Sequence, residues 1–121
     1  MVNTTLTKPF VLSASTMMGN KVRNLDGEDL GKIEEIMIDI DHGTVAYAVL
    51  SFGGFMGVGD KLFAVPWKAL KQSAEENEFI FDVDKKILKK APGFDQNDWP
   101  QFSDRTFATT IYKYYKITPY W

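Results

Sequence analysis

Residues 44–52 are apolar at almost every position and follow the turn signal Asp41-His42-Gly43. Neighbouring residues of a strand point to opposite faces, so this segment is apolar on both faces. A strand with one face in water does not need such a pattern. We therefore expect a central strand whose second face is covered by the rest of the chain or by a partner. The apolar positions are Val45, Ala46, Tyr47, Ala48, Val49 and Leu50.

The segment before this strand, residues 31–40, has the alternation of a half-buried strand at Ile36, Ile38 and Ile40. Ile33 is out of phase with that alternation. A β-bulge at Glu34-Glu35 would bring Ile33 and Ile36 to the same interior face, and we predict one there. The β-branched residues favour this strand over a helix.

Further short strands are predicted at residues 21–24, 61–65 and 78–83, with helical turns at 66–70 and 84–91. About five short antiparallel strands in so few residues are typical of a small barrel. The fold class predicted from the residues is therefore mainly β, a small antiparallel β-barrel with short helical turns.

The chain divides into an N-terminal arm (residues 1–16), a barrel domain (17–90) and a C-terminal aromatic extension (91–121). Nine of the 17 aromatic residues fall in the extension. There a helix is predicted, with Ser103 or Asp104 as its N-cap. The extension packs either on its own barrel or on a partner subunit, and the sequence leaves both open. The apolar stripe of the helix is formed by Phe107, Ile111, Tyr114 and Tyr115.

Composition limits the classes of function. The net charge is −2, with 14 basic and 16 acidic residues, which disfavours strong general nucleic-acid binding. The absence of cysteine excludes disulfides and zinc–thiolate sites. No apolar stretch reaches the about 20 residues that cross a bilayer, and the N-terminus does not resemble a secretory signal. We therefore expect no membrane span and a cytoplasmic protein.

Two features invite a chemical interpretation. The glycine-rich residues 53–61 have the glycine spacing of a phosphate loop, but Asp60 stands where that loop needs lysine. The only histidine, His42, follows Asp39 and Asp41, with which it could hold a metal ion, yet no fourth metal ligand or catalytic partner is evident. We therefore assign no catalytic residue, cofactor or metal site, and we expect the protein not to be an enzyme.

Four segments carry a resemblance to a known family: residues 17–22 (MMGNKV), 26–39 (DGEDLGKIEEIMID), 43–54 (GTVAYAVLSFGG) and 63–67 (FAVPW). Together they resemble the PRC-barrel family, which includes the cytoplasmic domain of the photosynthetic reaction-centre H subunit and the C-terminal domain of a ribosome maturation factor. Residues 112–121 resemble an extension of free-standing bacterial members. The resemblance implies a PRC-type barrel that makes protein–protein contacts, with no catalytic residue and no cofactor.

The function expected from these observations is a non-catalytic protein-interaction or assembly module that forms a homodimer. The alternative is an RNA- or ribosome-associated accessory factor, for which the basic cluster Lys85, Lys86, Lys89 and Lys90 would supply the charge. The candidate interaction surface combines apolar residues of the glycine-rich loop with the extension: Phe55, Met56, Val58, Phe107, Ile111, Tyr114, Tyr115, Tyr120 and Trp121.

Overall fold

The computed structural model describes residues 11–53, 60–75 and 77–121. Six strands form one curled half-barrel sheet with the order β4-β3-β2-β1-β6-β5. The strands are β1 (Lys21–Arg23), β2 (Asp29–Asp39), β3 (Thr44–Gly53), β4 (Asp60–Pro66), β5 (Leu70–Gln72) and β6 (Glu78–Phe81). The helices are α1 (Ala14–Met17), α2 (Lys85–Lys90) and α3 (Arg105–Tyr114), and a 3₁₀ turn at Trp67–Ala69 links β4 to β5. The predicted mainly β fold is confirmed.

The pairing of the strands differs from the prediction in one respect. β1 pairs with β6 in parallel, whereas every other neighbouring pair is antiparallel. We predicted only antiparallel strands, and we did not predict the short β5. A parallel pair needs a long connection, here residues 24–77, and no local pattern in a sequence reports such a distant pairing.

The predicted bulge is confirmed. Ile33 is paired with Leu50 and Glu35 with Val49, so the register between β2 and β3 shifts between these two pairs. Ile33 and Ile36 both lie in the core inside the half-barrel, 1% and 8% exposed. The bulge therefore places Ile33 on the same interior face as Ile36, as the sequence predicted.

The expectation for Ile38 and Ile40 was wrong. Their side chains are 59% and 88% exposed, although they continue the alternation that begins at Ile36. A second shift in register follows Met37, and the hairpin between β2 and β3 extends past the end of the core. Its two isoleucines are therefore mostly exposed.

β3 lies between two apolar cores, as the sequence predicted. Ala48, Leu50 and Phe52 pack in the core inside the half-barrel. Tyr47 belongs to a second core on the outer face, which is built mainly with residues of the extension. In this single chain, the C-terminal residues therefore cover the second face of β3.

The extension reaches the barrel in two steps. Residue Phe94 first exchanges two backbone hydrogen bonds of 2.9 Å with Leu62 on the edge of β4. Helix α3 then begins at its N-cap Asp104, whose side chain accepts from the amide of Thr106. The hydroxyl of Tyr112 donates to the carbonyl oxygen of Ala46 at 2.7 Å. These contacts fix α3 against the outer face of the sheet.

Candidate binding groove between the hairpin and the C-terminal extension

A groove of about 360 Å³ lies where the end of the β2–β3 hairpin meets the extension. We call it the hairpin groove. One wall comes from the hairpin and the start of β3, and the other from the start of α3 and the last two residues of the chain. The hairpin wall is formed by Met37, Ile38, Asp39, Ile40, Asp41, Ala46 and Tyr47, and the extension wall by Phe102, Ser103, Asp104, Arg105, Ala108, Tyr120 and Trp121.

Asp39 joins the two walls. Its carboxylate accepts a hydrogen bond of 2.5 Å from the Tyr120 hydroxyl and lies 2.9 Å from Nδ1 of His42. The ring of His42 also meets the edge of the Tyr120 ring at 5.3 Å. These contacts, led by the Tyr120 hydrogen bond, lower the pKa of Asp39 to about 2. The carboxylate is therefore ionised at neutral pH and ties the chain's end to the hairpin.

Arg105 lies on the opposite wall and stacks on the terminal residue. Its guanidinium carbon is 4.5 Å from the ring centroid of Trp121, a cation–π arrangement. The Trp121 ring in turn meets the ring of Tyr112 at 4.9 Å. The last residue of the chain is thus anchored on both sides, although 36% of it remains exposed.

Tyr47 lines the hairpin wall of the groove and is the centre of an aromatic cluster. Its ring contacts Phe102, Phe107 and Tyr112, with centroids 5.5, 6.1 and 5.8 Å away. Its hydroxyl is buried and has no hydrogen-bond partner among the described residues. Burial raises the pKa of Tyr47 well above its ordinary value, so the phenol is neutral at physiological pH.

The residues predicted as an interaction surface are distributed unevenly. Tyr120 and Trp121 line the groove, whereas Ile111 is 1% exposed and belongs to the second core. Phe107, Tyr114 and Tyr115 are half-buried against the barrel. Phe55, Met56 and Val58 lie outside the described residues.

Sequence reasoning named Tyr120 and Trp121 but missed the hairpin residues that complete the groove. Asp39 and Tyr120 are 81 positions apart, and no periodic pattern connects them. The exposed Ile38 and Ile40 were assigned to the interior, because alternation shows which face a residue occupies but not where the core ends. The contacts of Arg105 with Trp121 also depend on the fold of the extension.

The sequence also matches a known domain family that has this architecture. The family model of the PRC-barrel domain matches residues 11–88, well over half of the chain. The chain belongs to the PRC-barrel family. The resemblance of the four sequence segments to this family is thereby confirmed.

A search of the solved structures finds similarity to RimM, a 16S ribosomal RNA processing protein from Pseudomonas aeruginosa, with 18% sequence identity and a TM-score of 0.43. The similar region covers 62% of this chain and 45% of that one, so the PRC-barrel protein spans less than half the length of RimM. No curated protein sequence matches the chain. No helix among the described residues is long and apolar enough to cross a membrane.

Proposed function

We propose that this PRC-barrel protein is a non-catalytic module that binds another protein at the end of its β2–β3 hairpin. The observation that carries the proposal is the exposure of Ile38 and Ile40, 59% and 88%, beside the hairpin groove. Large apolar side chains that stand together on a rigid surface are typical of contact sites. Tyr120 and Trp121 add the residue types that most often anchor such contacts.

The polar groups of the groove support binding over catalysis. Asp39 is held by Tyr120 and His42, and Asp104 caps α3. Each of these carboxylates therefore already has a structural task. His42 is the only histidine, so no second imidazole is present to serve as its acid–base partner. In this proposal the protein works in the cytoplasm and its partner is a protein or a second copy of the chain.

A homodimer is the form of this proposal in which the partner is a second copy. The second face of β3 no longer supports it, because the chain's own extension covers that face. The support that remains is the exposed apolar surface at Ile38 and Ile40. A symmetric contact across a two-fold axis would bury this surface on both copies at once.

The test compares proteins crosslinked to the tagged module in extract of its native cells. The variant Ile38→Ser/Ile40→Ser should lose the specific partner and keep its melting temperature, because both side chains are exposed. Ile87→Ser is the matched control, since Ile87 is an isoleucine on α2 that is 45% exposed. His42→Ala should keep the partner. Equal capture by the double variant and the wild type would contradict the proposal.

An RNA-associated role is the second candidate, and one observation favours it. A cleft of about 660 Å³ between β1, β2 and α2 collects Lys21, Arg23, Lys32 and Lys85. Two carboxylates reduce this positive charge: Asp29 lines the cleft, and Glu78 lies 2.8 Å from Nε of Arg23. We therefore expect at most weak binding to random RNA at physiological salt in a polarisation assay. Submicromolar binding that Lys85→Glu abolishes would favour this role over the first.

A further inference from the structure

β2 is paired on both sides only in its first half. Its pairs with β1 are Arg23 with Asp29 and Lys21 with Lys32. Ile33 then exchanges backbone hydrogen bonds of 2.7 and 2.9 Å with residues 19 and 20. From residue 34 to residue 39, the described part of the chain supplies a strand neighbour on the β3 side alone. This half of β2 is therefore an open strand edge, which can template another strand.

One amide on this edge has a local partner. The backbone N–H of Ile36 donates to Oε1 of Glu35, its own neighbour, at 3.2 Å. Inside a two-sided sheet, a strand amide bonds to the next strand. The Glu35 carboxylate thus occupies a position that a carbonyl oxygen of an added strand would take.

The two faces of the open edge differ in chemistry. Ile36 and Ile38 follow one face, and Glu35, Met37 and Asp39 follow the other, because side chains alternate along a strand. An added strand would place alternate side chains beside each of these rows. Its apolar residues would lie next to the isoleucines, and its polar residues next to the two carboxylates.

The negative charge of the hairpin favours positively charged residues at the polar positions of an added strand. Residues 33–60 contain no lysine or arginine, while Glu34, Glu35, Asp39 and Asp41 lie in β2 and the hairpin end. A second copy added antiparallel at the same edge would bring this acidic segment against itself. Like charges on paired strands are destabilising. A basic segment would instead find opposite charges.

We propose that the open edge of β2 binds an extended segment of a partner protein, in which apolar and basic residues alternate, by strand addition. The main-chain hydrogen bonds would supply much of the affinity, and the alternating rows would supply the selectivity. The inference rests on the proposed function and adds to it the chemistry and geometry of the partner.

The test uses the full chain and short synthetic peptides in a fluorescence polarisation assay. A peptide of alternating lysine and valine should bind, and a peptide of the same composition with the lysines and valines in separate blocks should bind about tenfold more weakly. N-methylation of alternate amides on the bonding side should weaken binding by about tenfold or more, since it removes ladder donors. Equal binding of the alternating and blocked peptides, or binding that N-methylation does not change, would overturn strand addition.

Protein variants test the location. Glu35→Lys should weaken binding of the lysine–valine peptide and improve binding of an alternating glutamate–valine peptide. Glu75→Lys, an equal charge change at an exposed residue of the β5–β6 turn, should leave the preference unchanged. Glu34→Lys is the second variant if Glu35→Lys fails to fold. Dimerisation of the full chain through this edge, detected by crosslinking at residues 34–39, would also overturn the inference.

The two proposals fail in different ways. Capture of the cellular partner could depend on Ile38 and Ile40 while N-methylation leaves the peptide affinity unchanged. The module would then bind proteins by another geometry, and only strand addition would be wrong. If the double isoleucine variant captures every partner of the wild type, the proposed function itself falls.

Discussion

At the scale of single residues, Asp39 has the largest role that the sequence did not suggest. We considered it with Asp41 and His42 as a weak metal-binding arrangement. In the structure its carboxylate accepts from Tyr120 and lies beside His42, so it connects the hairpin to the last residues of the chain. The local sequence could mark this carboxylate as a candidate ligand, but its tyrosine partner lies 81 positions further along the chain.

The Asp39 contacts predict a dependence of stability on acid pH. A carboxyl group whose pKa is lower in the folded state stabilises that state fully above its unfolded pKa of about 4. The contribution then declines as the pH falls towards about 2, the pKa in the folded chain. The melting temperature of Asp39→Asn should therefore lie furthest below the wild type near neutral pH, and the difference should shrink between about pH 4 and pH 2.

Calorimetry over that pH range checks this, with Asp41→Asn as the control for removing one charge from the same hairpin end. A difference between Asp39→Asn and wild type that stays constant down to pH 2 would show that the carboxylate does not hold the extension.

At the scale of elements, α3 is the clearest success of sequence reasoning. Its stripe of Phe107, Ile111, Tyr114 and Tyr115 has helical spacing, and Asp104 is its N-cap. The helix could be predicted because its apolar period and its cap are local. Its position on β3 could not, since that depends on contacts such as the one between the Tyr112 hydroxyl and Ala46.

Tyr112→Phe should show how firmly α3 is held. The hydroxyl is buried and donates to the Ala46 carbonyl oxygen at 2.7 Å. Its removal leaves that oxygen unsatisfied, so we expect a loss of about 1–2 kcal/mol in the free energy of unfolding, measured by urea denaturation. Tyr114→Phe is the control, because the Tyr114 hydroxyl bonds to the Ile87 carbonyl at a more exposed site where water can replace it. An equal or larger loss for Tyr114→Phe would contradict the assignment.

At the scale of the whole molecule, the barrel and the extension share β3. The pattern of residues 44–52 predicted that both faces of this strand are covered, and the two cores confirm it. The strands could be predicted because alternation is local. The parallel pairing of β1 with β6 and the exposed hairpin end could not, because both depend on where distant segments meet.

Removal of residues 103–121 should destabilise the molecule as a whole. The deletion strips the outer core from β3 and β4 and exposes Ala46, Tyr47 and Ala64, which are at most 8% exposed in the full chain. We expect the shortened protein to aggregate or to unfold at a lower temperature, whereas the full chain stays dispersed. Sedimentation velocity and thermal melting of both forms check this. A shortened chain that remains folded and monomeric would show that the outer core is dispensable.

The parallel pair of β1 and β6 has a consequence for how the chain reaches this structure during synthesis. Lys21 lies opposite Glu78, and Arg23 lies opposite Ile80, so β1 has no such partner until residues 24–81 have also been made. The hairpin of β2 and β3 joins near neighbours and can form much earlier. The nascent chain can therefore carry the hairpin before β6 emerges, and until then the half-barrel is incomplete and its apolar interior is accessible to chaperones.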